Sequence, residues 1–470
     1  MDILTEPVHA DLLVIGFGKG GKTLAVTIGR HGKRVVMVEQ SDRMYGGTCI
    51  NIGCVPTKAL VHQADGRRPG DDPAAYYERA VGAVTDLTTL LRGNNFRMLD
   101  TLDSVTVVTG RARFVDPHTV EVTAGLDRLT ITSDTIVINT GAVPVIPDIP
   151  GLRASAHLAT STDLLHTATL PRGLAVLGGG AVGLEFAAMY RRFGAEVTVL
   201  EAGPAFLASE DADVADALTG ILRDEGITLI AGARVDEVED RAGGVTIRYE
   251  VGGEPRTLEA DTILVATGRA PATEGLGLEN AKVRLTGRGA IEVDEHLHSS
   301  QPHIFAVGDV NGGPQFTYIS LDDSRIVADQ LLGEGKRATL DRRAVPRTMF
   351  TTPPLSTVGL TEAQARRRGH HVKIASKPIA QIAAMARARI LGDTRGLMKF
   401  VIDADTDLVL GAALLSVESQ ELVNIVALAI RHDLTATELC DAIYNHPSST
   451  EAFNEVLATV VRSPAAVTAR

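Results

Sequence analysis

The chain has 470 residues and a formal net charge of −12 at pH 7, which argues against nucleic acid as a partner. Hydrophobic residues make up 44% and charged residues 22%, the balance of an ordinary globular protein, and the length suggests about three domains. We see no secretory signal or membrane span and therefore expect a cytoplasmic protein with no membrane partner.

The first predicted elements form a strand–helix–strand unit. Residues 10–16 predict a buried strand, the run Gly16-Phe-Gly18-Lys-Gly-Gly21 follows it, and a strand from 34 to 38 ends at Glu39. Glycines at this spacing allow a tight turn and a close approach of the backbone to a pyrophosphate, which a helix N-terminus binds. Glu39 is placed to accept hydrogen bonds from a ribose. The unit therefore predicts a dinucleotide site.

Two of the three cysteines, Cys49 and Cys54, come next, within the run Tyr45-Gly-Gly-Thr-Cys-Ile-Asn-Ile-Gly-Cys-Val-Pro-Thr-Lys58. Five residues of regular helix rise about 7.5 Å, whereas a disulfide tolerates Cα atoms up to about 7 Å apart. A bond between them requires a distorted first turn, for which nearby glycines supply the freedom. We expect both sulfurs near the positive end of a helix, where thiol pKa values are lowered.

Other interpretations of the pair are a structural disulfide and half of a zinc site. A structural disulfide is disfavoured in a chain with three cysteines and no secretory signature. Zinc ligand pairs usually come with a second pair, which this sequence lacks. We interpret Cys49 and Cys54 as a redox pair and Cys440 as a core residue.

A second phosphate-binding pattern follows helical residues 72–97 and two β-rich segments. Strand 174–177 leads into Gly178-Gly-Gly180-Ala-Val-Gly183 and a helix through Glu185, and strand 196–200 ends at Glu201. Two such units with the same order of strand, helix and acid are strong evidence for two nucleotide sites. An acid at Glu201 accepts bonds from a 2′-hydroxyl and repels a 2′-phosphate, which predicts NADH over NADPH.

Further buried strands end in Thr140-Gly141, in Thr267-Gly268 and in Gly308-Asp309. From about Pro346 the pattern changes, because strands alternate with helices and no glycine-rich loop occurs. This last part predicts an α+β module for association.

Together, the two nucleotide patterns, Cys-x4-Cys after Gly-Gly-Thr, Ala-Thr-Gly-Arg269, Gly-Asp309 and His446-Pro-Ser-Ser-Thr-Glu451 resemble the class I pyridine nucleotide-disulfide oxidoreductases. That family includes glutathione reductase, dihydrolipoamide dehydrogenase and mercuric reductase. The runs at 44–54, 316–323, 332–337 and 393–396 resemble its reactive-chlorine-resistance branch of bacterial flavoproteins, which implies hypothiocyanous acid reductase and Cu(II) reductase activities.

The resemblance implies an α/β fold with two Rossmann-like domains and a C-terminal α+β dimerisation domain. The FAD-binding domain would comprise residues 1–147 and 273–345, the NAD(P)H-binding domain 148–272, and the dimerisation domain 346–470. It also implies a homodimer in which each subunit donates His446 to the other.

The resemblance assigns a role to each matching position. FAD would bind Gly16, Gly18, Gly21, Glu39, Lys58, Ala112, Thr140, Gly141, Asp309 and Thr317. NADH would bind Gly178, Gly180, Gly183, Glu201, Val235 and Gly268. The implied catalytic residues are Cys49 facing the substrate, Cys54 facing the flavin, Lys58 paired with Glu185, and His446 held by Glu451; no metal site is expected.

The sequence therefore predicts an FAD-dependent NAD(P)H oxidoreductase that reduces a small oxidant such as hypothiocyanous acid. Cu(II) reduction has no recognisable ligand spacing behind it. A dihydrolipoamide dehydrogenase-like reductase is the nearest alternative. Mercuric reductase is disfavoured, because no further cysteine pair occurs and His446 is kept. The alternative of another class is a flavoprotein subunit of a complex or a redox sensor.

Overall fold

The computed structural model describes residues 7–462, so the outer ends of the first and last predicted domains lie outside it. Its first elements are β1 (Val8–Ile15), α1 (Lys19–Arg30), β2 (Val35–Glu39), α2 (Gly47–Asn51), α3 (Cys54–Asp65), α4 (Pro73–Asp100), β3 (Val105–Thr109), β4 (Arg111–Asp116), β5 (Thr119–Ala124), β6 (Asp127–Ile138) and β7 (Ala142–Pro144).

The first sheet has the order β3-β2-β1-β6-β5-β4. Strands β3, β2, β1 and β6 pair in parallel, and β5 and β4 add antiparallel strands. All five residues of β2 are buried, because α1 packs on one face of this strand and strands β4 and β5 pack on the other. The predicted first nucleotide unit, β1-α1-β2, therefore lies at the centre of this sheet.

The middle of the chain forms a second sheet and a meander. Its elements are β8 (Leu158–Thr160), α5 (Ser161–Leu164), β9 (Gly173–Leu177), α6 (Ala181–Phe193), β10 (Glu196–Glu201), α7 (Ala212–Asp224), β11 (Thr228–Ala231), β12 (Ala233–Arg241), β13 (Gly244–Val251), β14 (Glu254–Ala260), β15 (Thr262–Val265) and β16 (Arg269–Pro271). Strands β11-β10-β9-β15-β8 form a parallel sheet, and β12-β13-β14 form an antiparallel meander that packs on it.

The chain then returns to the first sheet. Strand β17 (Ile304–Ala306) pairs in parallel with β6, and α8 (Thr317–Leu332) follows it. Strands β7 and β16 pair with each other where the chain leaves and re-enters this region.

The last part is a five-stranded antiparallel sheet covered by helices. Its elements are β18 (Arg347–Met349), β19 (Leu355–Gly359), α9 (Glu362–Arg367), β20 (Val372–Pro378), α10 (Ala386–Ile390), β21 (Leu397–Asp403), β22 (Val409–Leu415), α11 (Ser419–Arg431), α12 (Ala436–Asp441) and α13 (Ala452–Val461). Cys440 is 1% exposed within this core, as predicted.

The predicted fold class is confirmed: two parallel, Rossmann-like sheets carry the two glycine-rich loops, and an α+β module follows. Among the described residues, no helix combines the length and the apolar character needed to cross a bilayer.

Candidate active site

The cysteine segment is two helices rather than one. Helix α2 carries Cys49 and ends before Gly53, and α3 begins at Cys54. Gly46 and Gly47 have φ angles of +98° and +73°, which only glycine adopts readily. A Cβ atom at Gly47 would lie 2.7 Å from the Cα atom of Gly18. The predicted distortion is thus confirmed, and it packs the cysteine segment directly on the first glycine-rich loop.

Cys49 and Cys54 are not bonded to each other in this structure, and each thiol shifts the pKa of the other. A hydrogen bond from the Cys49 thiol lowers the pKa of Cys54 to about 6, with help from Thr317 and Lys58. The Thr317 hydroxyl, at the first turn of α8, lies 3.3 Å from the Cys54 sulfur. The same shared proton, together with partial burial, raises the pKa of Cys49. The expectation that a helix end lowers both pKa values is therefore wrong for Cys49, which lies in the separate helix α2 and keeps the proton.

Lys58 and Glu185 form the ion pair that the resemblance implied. The Lys58 Nζ lies 2.7 Å from Glu185 Oε2, and the Glu185 side chain is only 5% exposed. The other carboxylate oxygen of Glu185 accepts a hydrogen bond of 2.7 Å from the backbone N–H of Phe350. The Lys58 ammonium also lies 4.9 Å above the Phe350 ring. The ion pair joins helices α3 and α6 one turn from Cys54. Phe350, which sequence reasoning missed, orients the carboxylate of Glu185.

The first glycine-rich loop has no room for side chains. Gly16 has a φ of +100°, and a Cβ atom there would lie 2.5 Å from the backbone oxygen of Asn139. The Asn139 side chain itself would be 2.4 Å from a Cβ atom at Gly18, and its Oδ1 accepts a 2.8 Å hydrogen bond from the Gly21 N–H. Asn139 was also missed, although a polar residue at the end of a buried strand is a usable signal. The loop and the start of α1 fit a diphosphate.

The remaining predicted FAD residues lie around the carboxyl ends of the parallel strands, where nucleotides bind in open α/β sheets. Glu39 is buried, which raises its pKa, and accepts a 2.9 Å hydrogen bond from the Phe17 N–H. Its backbone oxygen accepts a bond from the Gly110 N–H, and Ala112 is the second residue of β4, which follows directly. Asp309 follows β17, and its burial raises its pKa.

Thr140 and Gly141 link this region to the second nucleotide unit. The Thr140 hydroxyl donates to the Ala272 backbone oxygen at 2.8 Å, and Gly141 has a φ of +76°. The Gly16–Gly21 loop, the Glu39 carboxylate and the backbone at Gly141 together fit FAD.

The second loop repeats this architecture. A Cβ atom at Gly178 would lie 2.6 Å from the Ala266 oxygen, and one at Gly183 would lie 2.0 Å from the Gly178 oxygen. In contrast, nothing lies within 4 Å of a Cβ atom at Gly180 or Gly268, so open space faces the loop there. Glu201 Oε2 accepts a 2.7 Å bond from the Gly179 N–H, as Glu39 does in the first unit. Val235, which was also predicted, lies half-buried on β12.

His446 and Glu451 form a pair of their own. The ring Nδ1 lies 2.9 and 3.0 Å from the two carboxylate oxygens. A hydrogen bond from the Ser448 N–H, and then the imidazole, lower the pKa of Glu451. Among residues 7–462, Glu451 is the only hydrogen-bond partner of this exposed ring, and no bond or ion pair joins it to the cysteines. The other four predicted catalytic residues come together without it.

One group of possible metal ligands was not anticipated. Single ligand atoms of His9, Asp11 and Asp134 lie within 4.8 Å of one another. Strands β1 and β6 bring them together across more than a hundred residues, so their spacing in the sequence gave no signal. We assign no ion to this group, because exposed acidic groups of this kind are common.

The structure combines two dinucleotide loops, a polarised thiol pair between them and a separate α+β module. This combination defines a flavoprotein disulfide reductase. The chain belongs to the pyridine nucleotide-disulphide oxidoreductase family, whose model matches residues 10–323. The family's dimerisation domain matches residues 345–457, which supports a homodimer. The predicted family and enzyme class are confirmed, and the family uses FAD and NAD(P)H.

The similar proteins include several activities. RclA of Escherichia coli strain K12, a probable pyridine nucleotide-disulfide oxidoreductase, is 46% identical over 95% of this chain and 98% of its own length. Mercuric reductase of Staphylococcus aureus is 35% identical over 92% of this chain and 79% of its own length. Dihydrolipoyl dehydrogenase of Bacillus subtilis strain 168 is 32% identical over 97% of this chain and 98% of its own length.

Solved structures show the same fold. The structure of the HOCl-induced flavoprotein disulfide reductase RclA from Escherichia coli superposes with a TM-score of 0.90 at 45% identity, covering 96% of this chain and 100% of that one. The structure of its Cu(II) complex superposes with a TM-score of 0.92 at 45% identity, covering 96% and 99%.

Proposed function

We propose that this protein uses FAD and NADH to reduce a reactive oxidant such as hypothiocyanous acid through Cys49 and Cys54, in defence against oxidative and chlorine stress. The observation that carries the proposal is the polarised thiol pair, in which Cys54 holds the thiolate and Cys49 keeps the proton. The similarity to a flavoprotein disulfide reductase that HOCl induces supports this choice of substrate class. The cytoplasm, where paired thiols are more often catalytic than structural, is the proposed compartment.

The two loops divide the nucleotide binding between them. The Gly16–Gly21 loop and Glu39 would hold FAD, and the Gly178–Gly183 loop and Glu201 would hold NADH through its ribose hydroxyls. Bound FAD would supply the transfer of a hydride's two electrons from NADH to the disulfide. The Lys58–Glu185 pair would fix a positive charge beside Cys54, where it stabilises the thiolate released on reduction.

The thiol half of the cycle balances with one oxidant molecule. His446 takes the proton that Cys49 keeps in the reduced pair, and the resulting Cys49 thiolate attacks the sulfur of hypothiocyanous acid. The sulfur–oxygen bond breaks, and the leaving hydroxide takes that proton from the imidazolium of His446. Cys54 then attacks the Cys49 sulfur and expels thiocyanate, which re-forms the disulfide. The sum is HOSCN + NADH → SCN⁻ + H₂O + NAD⁺.

His446 would act on the other subunit's thiols. Its ring is exposed and, within the described chain, bonded only to Glu451, which holds Nδ1 and leaves Nε2 for a substrate. Co-expression of a Cys49→Ser chain with a His446→Ala chain tests this donation. If His446 crosses the interface, each mixed dimer keeps one intact site and about half of the wild-type activity. An inactive mixed dimer, checked by its two subunit tags, would place His446 in the same chain as its thiols.

The substrate is tested by NADH oxidation with the purified, FAD-loaded protein. Hypothiocyanous acid, lipoamide, oxidised glutathione and Hg(II) serve as acceptors, and Cys49→Ser is the control. We expect turnover with hypothiocyanous acid that the variant loses. Turnover with lipoamide and none with hypothiocyanous acid would reject the oxidant and leave the cofactors in place.

A dihydrolipoamide dehydrogenase-like activity is the second candidate, since that relative matches 97% of this chain and the same thiol pair serves both reactions. Cu(II) is a further acceptor to test because a similar protein was solved as a Cu(II) complex. If Cys49→Ser keeps full Cu(II) reduction, the thiols are not the route. A subunit of a larger complex would elute far above a dimer in lysate, whereas the proposed enzyme would elute as a dimer.

A further inference from the structure

Lys22 is a buried cation that the proposed cycle does not use. It lies in the first turn of α1 and is only 5% exposed. Its Nζ donates a hydrogen bond to Asn95 Oδ1, and within residues 7–462 no carboxylate lies at ion-pair distance from it. Burying an ammonium without a counter-charge is costly, because the hydration of the ion is lost. Such a group therefore calls for an anionic partner other than a carboxylate of the described chain.

The surroundings of Lys22 identify that anion. Asn95 lies on α4, where its Nδ2 donates to the Leu91 backbone oxygen at 2.7 Å. The Asn95 side chain also packs on Gly46, where an added Cβ atom would lie 3.2 Å from its Cγ. Gly46 caps the N-terminus of α2, the short helix that carries Cys49. Lys22 is thus fixed through Asn95 beside the cysteine segment, close enough that its charge acts on Cys49.

We propose that Lys22 is a positioning residue whose ammonium, fixed by Asn95, stabilises the thiolate of Cys49 when this thiol attacks the oxidant. The Lys58 charge acts on Cys54, and Lys22 gives Cys49 a separate one. Burial lowers the pKa of Lys22 to about 8, so the ammonium is still the main form at neutral pH. The inference rests on the proposed role of Cys49 as the thiol that meets the substrate.

Several groups face this pair and enter its pH dependence. Cys54 of α3 and Thr317 of α8 contact the Cys49 thiol, and Lys19 in the same turn of α1 repels the Lys22 charge. Arg92 of α4 donates to Asn51 at the end of α2. The test therefore replaces Cys54 and compares two variants, one that loses the positive charge of Lys22 and one that loses the positive charge of Lys19.

The experiment measures the alkylation rate of Cys49 by iodoacetamide between pH 6 and pH 10 in FAD-loaded, full-length protein that carries Cys54→Ser. Lys22→Met keeps the length of the side chain, Lys22→Arg keeps its charge, and Lys19→Met is the matched control. We expect Lys22→Met to raise the midpoint by about half to one pH unit, which slows alkylation about three- to tenfold below the midpoint. Lys22→Arg and Lys19→Met should shift it by less than about 0.3 unit.

Equal midpoints in Lys22→Met and Lys19→Met would overturn the inference. So would a loss of bound FAD from Lys22→Met with the Cys49 midpoint unchanged, because Lys22 would then hold the cofactor. If Lys22→Met does not fold, Asn95→Asp neutralises the ammonium where it lies, and the same upward shift is expected. Alkylation needs no oxidant, so this result is independent of whether hypothiocyanous acid is the substrate.

Discussion

Replacing Cys49 by alanine should change the acidity of its neighbour Cys54. The hydrogen bond from the Cys49 thiol is the largest of the effects that hold the pKa of Cys54 near 6, ahead of Thr317 and Lys58. Because this pKa is lowered, the wild-type thiolate is present at pH 7 and is lost as the pH falls through about 6. Without the Cys49 donor we expect the pKa of Cys54 to rise by about one to two units toward that of an ordinary thiol.

The assay is the pH dependence of Cys54 alkylation in reduced protein, with the modified peptide resolved by mass spectrometry. At pH 7 the thiolate fraction should fall from about 90% to between about 10% and 50%. The midpoint is the quantity to compare, because a less acidic thiolate is also the better nucleophile and partly offsets the rate. Cys49→Ser should lie between wild type and Cys49→Ala, since its hydroxyl still donates a hydrogen bond.

A Cys49→Ala midpoint within about 0.3 unit of wild type would refute this reasoning. The helix N-terminus, Thr317 and Lys58 would then suffice to hold the thiolate, and Cys49 would matter only for the attack on the substrate.

Three further predictions concern other parts of the site. Gly183→Ala should weaken NADH binding at least about tenfold while FAD stays bound, because the new Cβ atom would lie 2.0 Å from a backbone oxygen of the second loop. Gly220→Ala, in open space on α7, is the control, and equal KM values for NADH in the two variants would contradict the packing argument. Glu201→Ala should raise the ratio of kcat/KM for NADPH to that for NADH at least about tenfold; a wild-type ratio already above one would sink the predicted preference. Glu451→Gln should lower kcat at least about tenfold, because the neutral amide no longer holds and stabilises the imidazolium that donates the proton. An unchanged kcat would show that the ring does not carry the proton.

The parts of the fold that sequence reasoning reached are those with strong local signals. The buried strands with glycine-rich turns and terminal acids were predicted almost to the residue, as the bounds of β1, β2, β9 and β10 show. The meander β12-β13-β14 was missed, because many of its residues are charged and exposed and it lacks the continuous apolar run of a buried strand. The domain limits and the cofactor roles of individual residues stay predictions.

The sequence by itself determined which backbone conformations and which chemistry are available. The positive φ angles at Gly16, Gly46 and Gly178 favour glycine, so the two loops and the turn that leads into the Cys49 helix are determined locally. Which side chains act on one another was decided only by tertiary structure. Lys58 reaches Glu185 across 127 residues, and Lys22 reaches Asn95 across 73. The physical reason is that a thiol's acidity depends on charges and donors within a few ångströms, which packing brings together without regard to distance along the chain.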